Sequence, residues 1–486
     1  MKPRILTKRG QSTPSWWTSL IPIFFLVGIM SLVIKCFGAD VLGGASQLSL
    51  ILSSGVVAAL AIFIYGCPWK QLESSIVDNM RNISGGILIL LMIGAISGSW
   101  MVSGIVPTMI CYGLEIISPR IFLFAVCLIC TLVSLITGSS WTTIATIGVA
   151  LIGIGNVLGY SPAWTAGAII SGAYFGDKIS PLSDTTVLAS SVAEVPLFNH
   201  IRYMMITTVP SFVITLVVFL VVSICHKDSG MAQVDSTAQI LKDTFVISPW
   251  LMIVPVLTSL LIIRRVPTFL TLLSACLMAC AAALISQRVI ITMIAGADNL
   301  DFLSGMKGIM ISCFGTTSIE TGDAILDELI TTHGMNGMMP TIMLIICAAT
   351  FGGVLIGSGM IQSLTDKLTK SISSRTAIVS STVGTGIFAN MTMGDQYLAI
   401  ILTCNLYRKL FEDKGYEGRL LSRSTEDSAT VTSVLIPWSS CGMTQSTVLH
   451  VPTIDYLPYC LFNIISPLMS ILVSATGYKI IRNKKS

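Results

Sequence analysis

The chain has 486 residues, of which 53% are hydrophobic and only 11% charged, and its formal net charge is +4. Soluble domains carry about 25% charged residues, so a water-soluble globular domain is excluded, and so small a basic excess leaves no surface for nucleic acid. With a mean hydropathy of +0.83, the solvent for this fold is lipid.

Apolar runs recur from one end to the other. The first, TSLIPIFFLVGIMSLVIKC (18–36), follows a basic segment holding Lys2, Arg4, Lys8 and Arg9. No small-residue cleavage pattern with a soluble domain behind it follows, so the run reads as a retained first helix rather than a signal peptide. Further spans are expected near 48–65, 83–108, 119–137, 142–158, 163–175, 203–225, 249–263, 267–285, 339–361, 376–388, 395–406, 429–449 and 459–478. A crossing needs about 20 residues, and 163–175, 376–388 and 395–406 are well short of that. The expected fold is therefore all-α: a polytopic membrane transporter with about 10 to 12 transmembrane helices and broken or re-entrant segments, forming one domain over 1–486. Residues 286–338, with the polar turns GADNLD, TGD and THGMNG, fit this scheme least well.

Lysine and arginine are in excess in the N-terminal segment, in RKLFEDKGYEGRLLSR (408–423) and in the tail YKIIRNKKS (478–486). The positive-inside rule places all three in the cytoplasm, so both termini are expected inside and the number of crossings even. Trp16, Trp17, Trp69, Trp100 and Trp250 fall mainly near span ends and read as interfacial anchors. The thirteen cysteines sit mostly within apolar runs, as Cys127, Cys130, Cys276, Cys280, Cys313 and Cys347 do, and read as small buried hydrophobes.

The two halves echo each other. GAISGSWM (94–101) resembles GVLIGSGM (353–360), and SDTTVLAS (183–190) resembles EDSATVTS (426–433), which sets Asp184 over Asp427. Two inverted repeats over approximately 48–225 and 305–478 are expected, with an ion site where their interrupted segments meet.

Polar residues gather in four stretches. In LITGSSWTTIATIGVALIGIG (135–155), Ser139, Thr142, Thr143 and Thr146 share one helical face. In SGAYFGDKISPLSDTT (171–186), Gly176 and Pro181 argue against one continuous helix, and Lys178 is placed to neutralise Asp177. Asp184, Ser180, Thr185 and Thr186 add oxygens suited to Na+. A solvated surface loop is the competing reading of that segment. In FANMTMGDQYLAI (388–400), Asn390 and Asp395 stand between two short apolar pieces. In STEDSATVTSVLIPWSSCGMTQS (424–446), Glu426 and Asp427 precede Thr430 and Thr432, and Ser424 with Asp427 also fits a helix-capping pattern. A carboxylate within a membrane is costly unless paired, protonated or bound to a cation, so the aspartates carry the expected chemistry. The candidate cation ligands are Asp177, Ser180, Asp184, Thr185, Thr186, Asp395, Asp427 and Thr430. The candidate pathway residues are Ser139, Thr142, Thr143, Thr146, Lys178, Asn390, Glu426 and Thr432. His200, His226, His333 and His450 are scattered and no HExxH or GxxxxGK[ST] occurs, so neither a zinc site nor an ATP-driven pump is expected, and no cofactor.

At SWTTIATIGVALIGIG…SPAWTAGAIISGAYFGDKISPLSDTT and at GDQYLAIIL…LSRSTEDSATVTSVLIPWSSCGMTQSTVL…VPTIDYLPY the chain resembles the NhaC family of Na+/H+ antiporters, over about residues 20 to 478. The resemblance implies a secondary transporter of the bacterial cytoplasmic membrane with two inverted repeats and re-entrant hairpins, and no enzyme. It implies Na+ and H+ as cargo, with membrane lipid as its surroundings. Members that exchange malate and protons for lactate and Na+ make a small organic anion the alternative substrate, and a homodimer is kept open. Asp177, Lys178, Ser180, Asp184, Thr185 and Thr186 match the first signature, and Asp395, Glu426, Asp427, Thr430 and Thr432 the second. Thr142 and Ala429 stand where the family usually has glycine, which bears on the substrate more than on the class. Arg423 is expected at the cytoplasmic edge, leaving no arginine to clamp a dicarboxylate; this favours the cation antiporter, with Asp184 exchanging Na+ for H+ and Asp427 or Asp395 assisting.

Overall fold

The computed structural model describes residues 14–37, 44–226, 231–264, 266–322, 326–327, 330–369 and 374–480. Lys2, Arg4, Lys8, Arg9 and the last six residues of the basic tail lie outside them. Among the described residues the only extended pairing is a single antiparallel bridge between Thr317 and Thr332; the rest is helix and connecting turn. Among the described residues eight helices are long and apolar enough to cross a membrane, or ten if each of two bent pairs is one span. The pairs are Ala238–Thr244 with Pro249–Ile263, bent by 92°, and Thr453–Tyr459 with Leu461–Thr476, bent by 56°.

These helices expose apolar side chains and turn their hydroxyls inward, among a largely apolar core. In Leu197–Cys225, Val213, Val217, Val221 and Ile224 are exposed, while Thr207, Thr208, Ser211 and Thr215 are fully buried. Lipid offers no hydrogen bonds, so hydroxyls turn inward and bond to carbonyls one turn back; Ser211 Oγ donates to Thr207 O at 2.8 Å and Thr215 Oγ1 to Ser211 O at 2.9 Å. Trp17 and Trp69 are exposed as interfacial residues should be, whereas Trp100 is buried in the core and anchors nothing at a surface.

Three short spans are longer than their apolar runs. Helices Pro162–Ile179, Arg375–Met393 and Gln396–Asp413 continue past 175, 388 and 406 because their polar residues find partners inside the bundle. Gly176 does not break its helix. It lets the backbone pass close to the 122–137 helix, where a Cβ would sit 2.8 Å from Ser134 Cβ. The break comes four residues later, at Ser180–Ser183, around Pro181. The expected 429–449 span is not one helix either. Gly418–Thr425 runs on through a π-turn at Glu426–Thr430, unwinds around Pro437, and restarts as Ser440–Leu449. Ser424 lies inside that helix, donating to Leu420 O at 2.7 Å, so it caps nothing.

The landmarks where helices stop and restart recur at a constant spacing. Gly138 and Gly394 both close a helix at φ 66°. Ser139 and Asp395 cap the next helix, and Ser183 and Ser439 the one after its break. Glu194 and His450 are two of three non-glycine residues at positive φ among the described residues, at 56° and 54°. Pro196 and Pro452 start the helices that follow. Each pair is 256 residues apart (394 minus 138, and likewise for the others). Contacts repeat with the landmarks: Ser134 Oγ donates to Ala173 O, and Asn390 Nδ2 to Ala429 O, both at 2.6 Å. This register sets Asp184 over Ser440, so the SDTTVLAS/EDSATVTS match is thirteen residues out of step with the structure.

Candidate functional site

Asp177 and Lys178 are neighbours on one helix and point to different places. Successive helical side chains diverge by about 100°, and here that angle separates two buried clusters.

Asp177 faces a cavity of about 300 Å³ shared with Asp184, Thr185, Ser139, Thr142, Gln396 and Tyr397. The Ser140 backbone N–H and hydroxyl donate to Asp177 Oδ2 at 3.0 and 2.7 Å. Ser139 caps the helix that begins at Ser140, accepting from Thr142 N at 3.2 Å, and Thr142 Oγ1 donates to Ser139 Oγ at 3.1 Å. Helices begin at Ser140, Asp184 and Gln396, so three helix N-termini meet at this space. Asp395, just behind Gln396, accepts from Tyr397 N and Leu398 N at 3.0 and 3.1 Å and from Ser440 Oγ at 3.3 Å. Each N-terminus carries roughly half a positive charge. The three starts therefore favour the charged forms of Asp177 and Asp184, the two carboxylates that line the cavity, without fully cancelling them. Among the described residues, no lysine, arginine or histidine lines the cavity.

Lys178 does not neutralise Asp177. It pairs with Asp427, and both side chains are fully buried. Ser466 joins them, its hydroxyl 3.0 Å from Lys178 Nζ and 3.3 Å from Asp427 Oδ1. These contacts engage Asp427 Oδ1; among the described residues Asp427 Oδ2 has no hydrogen-bond partner, and Asp427 does not line the cavity. Glu426 lies beside this pair, accepting from the Thr430 hydroxyl and, at 3.4 Å, from Thr186 Oγ1. Thr186 Oγ1 also lies 3.0 Å from Lys178 O, its better acceptor, and so sits between the Lys178 backbone and Glu426. The π-turn brings Glu426 and Asp427 in succession into the same interior; such turns recur at functional positions.

The remaining expected residues hold the frame. Ser180 Oγ donates to Leu135 O at 2.8 Å. Thr143 and Thr146 donate to Ser139 O and Thr142 O at 2.9 and 2.7 Å. Asn390 reaches Thr432 Oγ1 at 3.2 Å, besides its bond to Ala429. Sequence reasoning missed Gln396, Tyr397 and Ser466; the first two stood beside Asp395 as a signal, and Ser466 had none. Arg423 is fully buried within the protein. The Arg423 guanidinium lies 4.8 Å from the Tyr203 ring centre, and its nitrogens have no hydrogen-bond partner.

The model of the Na+/H+ antiporter family matches residues 10–195 and 172–478. The Na+/H+ antiporter NhaC of Bacillus subtilis is 34% identical, over 93% of this chain and 97% of its own. The protein of the same name from Alkalihalophilus pseudofirmus is 38% identical, over 87% and 89%. The malate-2H+/Na+-lactate antiporter of Bacillus subtilis is 33% identical, over 94% and 95%.

Proposed function

Since the chain belongs to the Na+/H+ antiporter family, we propose that it exchanges Na+ for H+ across the bacterial cytoplasmic membrane, with the cavity between Asp177 and Asp184 as the exchange site. One observation carries this reading: two carboxylates line a space into which no described residue places a basic side chain, and which faces three helix starts. Carboxylates with hydroxyl and amide oxygens suit a hard monovalent cation. Na+ is held by Asp177 and Asp184, with Ser139, Thr142 and Gln396 supplying neutral oxygens. A proton on either carboxylate removes the charge that holds Na+, and Na+ in turn drives the proton off, so one site serves both ions alternately.

Asp177 takes the leading role that the sequence gave to Asp184, because Lys178 is committed elsewhere and leaves Asp177 uncompensated. The Lys178–Asp427 pair ties the 162–179 helix to the 418–430 segment. Glu426 serves as a second proton-carrying group beside it. The 408–423 stretch faces the cytoplasm under the positive-inside rule, as do both termini.

The reading is tested with purified protein in proteoliposomes, by measuring ²²Na+ flux together with pH change. Asp177→Asn is expected to lose coupled exchange; normal exchange by that variant rejects the site.

Arg423 supports a second reading. A buried guanidinium without hydrogen bonds suits an organic carboxylate, and one relative exchanges malate for lactate by its name. Arg423 does not line the Asp177 cavity, so this reading ranks second. Na+-dependent uptake of labelled malate in the same vesicles, lost in Arg423→Gln, decides for it.

A further inference from the structure

We propose that Cys276, Cys280 and Cys313 form a binding site for a soft divalent cation of the Zn2+ class, separate from the Asp177 cavity. The three sulfurs lie within 4.8 Å of one another. Cys313 Sγ is 3.7 Å from Cys276 Sγ and 3.6 Å from Cys280 Sγ. Zinc–thiolate bonds of about 2.3 Å place three ligands around one ion about 4 Å apart, so the spacing fits a shared ion with little movement.

The backbone holds this arrangement. Cys276 and Cys280 are one turn apart on the Thr268–Ser286 helix and therefore share a face. Cys313 is the penultimate residue of Phe302–Phe314. That helix is drawn in by glycines: a Cβ on Gly98 would collide with the Ser312 carbonyl, and one on Gly308 would come within 2.6 Å of Ile291 O. All thirteen cysteines are free thiols, so none of the three is committed to a disulfide.

Chemistry narrows the ligand. Three sulfurs, with no carboxylate or imidazole among them, favour a soft ion over Na+, Mg2+ or Ca2+. Binding releases a proton from each thiol and forms three metal–sulfur bonds. A divalent ion leaves one net negative charge in this apolar setting and a monovalent ion two, so the divalent ion costs less to bury. Ser99 neighbours Cys276 and would offer its hydroxyl as a fourth ligand. Cys280 and Cys313 are only partly buried. The sequence hid the site because Cys313 stands 33 residues beyond Cys280, on another helix.

The competing account is that the thiols pack only as small apolar groups, and the test separates the two. Full-length protein purified in detergent, reduced and stripped with chelator, is titrated with Cd2+ while the thiolate-to-metal charge-transfer absorption is followed. One equivalent per chain is expected, displaced by Zn2+, with affinity at least tenfold weaker in Cys313→Ser and Cys280→Ser and unchanged in Cys127→Ser. Absence of the band, or the same titration in Cys313→Ser, overturns the proposal. Should a variant fold poorly, the wild-type chain still decides: Zn2+ must slow maleimide labelling of Cys280 and Cys313 but not of Cys36, as read by mass spectrometry. Equal labelling rates with and without Zn2+ reject the site.

Discussion

Lys178→Met should unfold this protein far more readily than wild type, and one specific second substitution should undo the damage. Lys178 and Asp427 are fully buried and bonded to each other and to Ser466. Removing one member of such a pair strands the other charge, which costs about 3–5 kcal/mol, or roughly a 10²- to 10⁴-fold loss in the folded-to-unfolded ratio at 1.36 kcal/mol per factor of ten. Replacing both with neutral groups of similar volume removes the stranded charge and is often close to neutral. Lys178→Met with Asp427→Asn is therefore expected to recover most of the lost stability, and Lys178→Met with Asp177→Asn almost none. The assay is thermal unfolding in detergent followed with a thiol-reactive fluorophore, for which the buried cysteines are the reporters. Equal rescue by Asp177→Asn would refute the assignment of Lys178 to Asp427. So would a single variant as stable as wild type.

Asp184→Asn should weaken Na+ affinity yet keep residual exchange, where Asp177→Asn abolishes it; the reverse order in ²²Na+ flux would restore Asp184 to the leading role. Transport should fall as pH drops, since protons then hold the carboxylates, and raised Na+ should partly restore it; a pH profile indifferent to Na+ would contradict a shared site. Gly394→Ala forces a Cβ onto a residue at φ 66° and 2.8 Å from Ala348 Cβ, so a loss of at least roughly 1–2 kcal/mol is expected in the same melting assay. Lys414→Cys should react with an impermeant maleimide only after the membrane is opened, and labelling in intact cells would reverse the proposed orientation.

Much of the fold was legible because lipid imposes a strong pattern: long apolar helices with inward hydroxyls follow from composition. The interruption at Gly394–Asp395 was legible as well, since glycine and aspartate in an apolar run have few other uses. The partners of the charges were not. Asp177 and Lys178 look like a pair in a linear reading, and only the helical angle between them shows that they serve different clusters. The repeat register was hidden for a related reason. Its landmarks conserve backbone conformation while their side chains differ, as Ser139 and Asp395 do, or Glu194 and His450. A match of letters between Asp184 and Asp427 therefore pointed to the wrong alignment.

The constant 256-residue interval from Gly138–Gly394 to Pro196–Pro452 bears on how the chain can be altered. Between those landmarks the two units have the same number of residues, so every connecting turn acts as a fixed-length spacer between helix starts. A single-residue insertion between Ser139 and Ser183 would rotate one helix start away from the cavity while its counterpart stayed in place. The same segment is correspondingly open to exchange. A block taken from one unit and cut at these landmarks has the right length to stand in the other, and it would carry its carboxylates to the backbone positions that its counterpart's residues now hold.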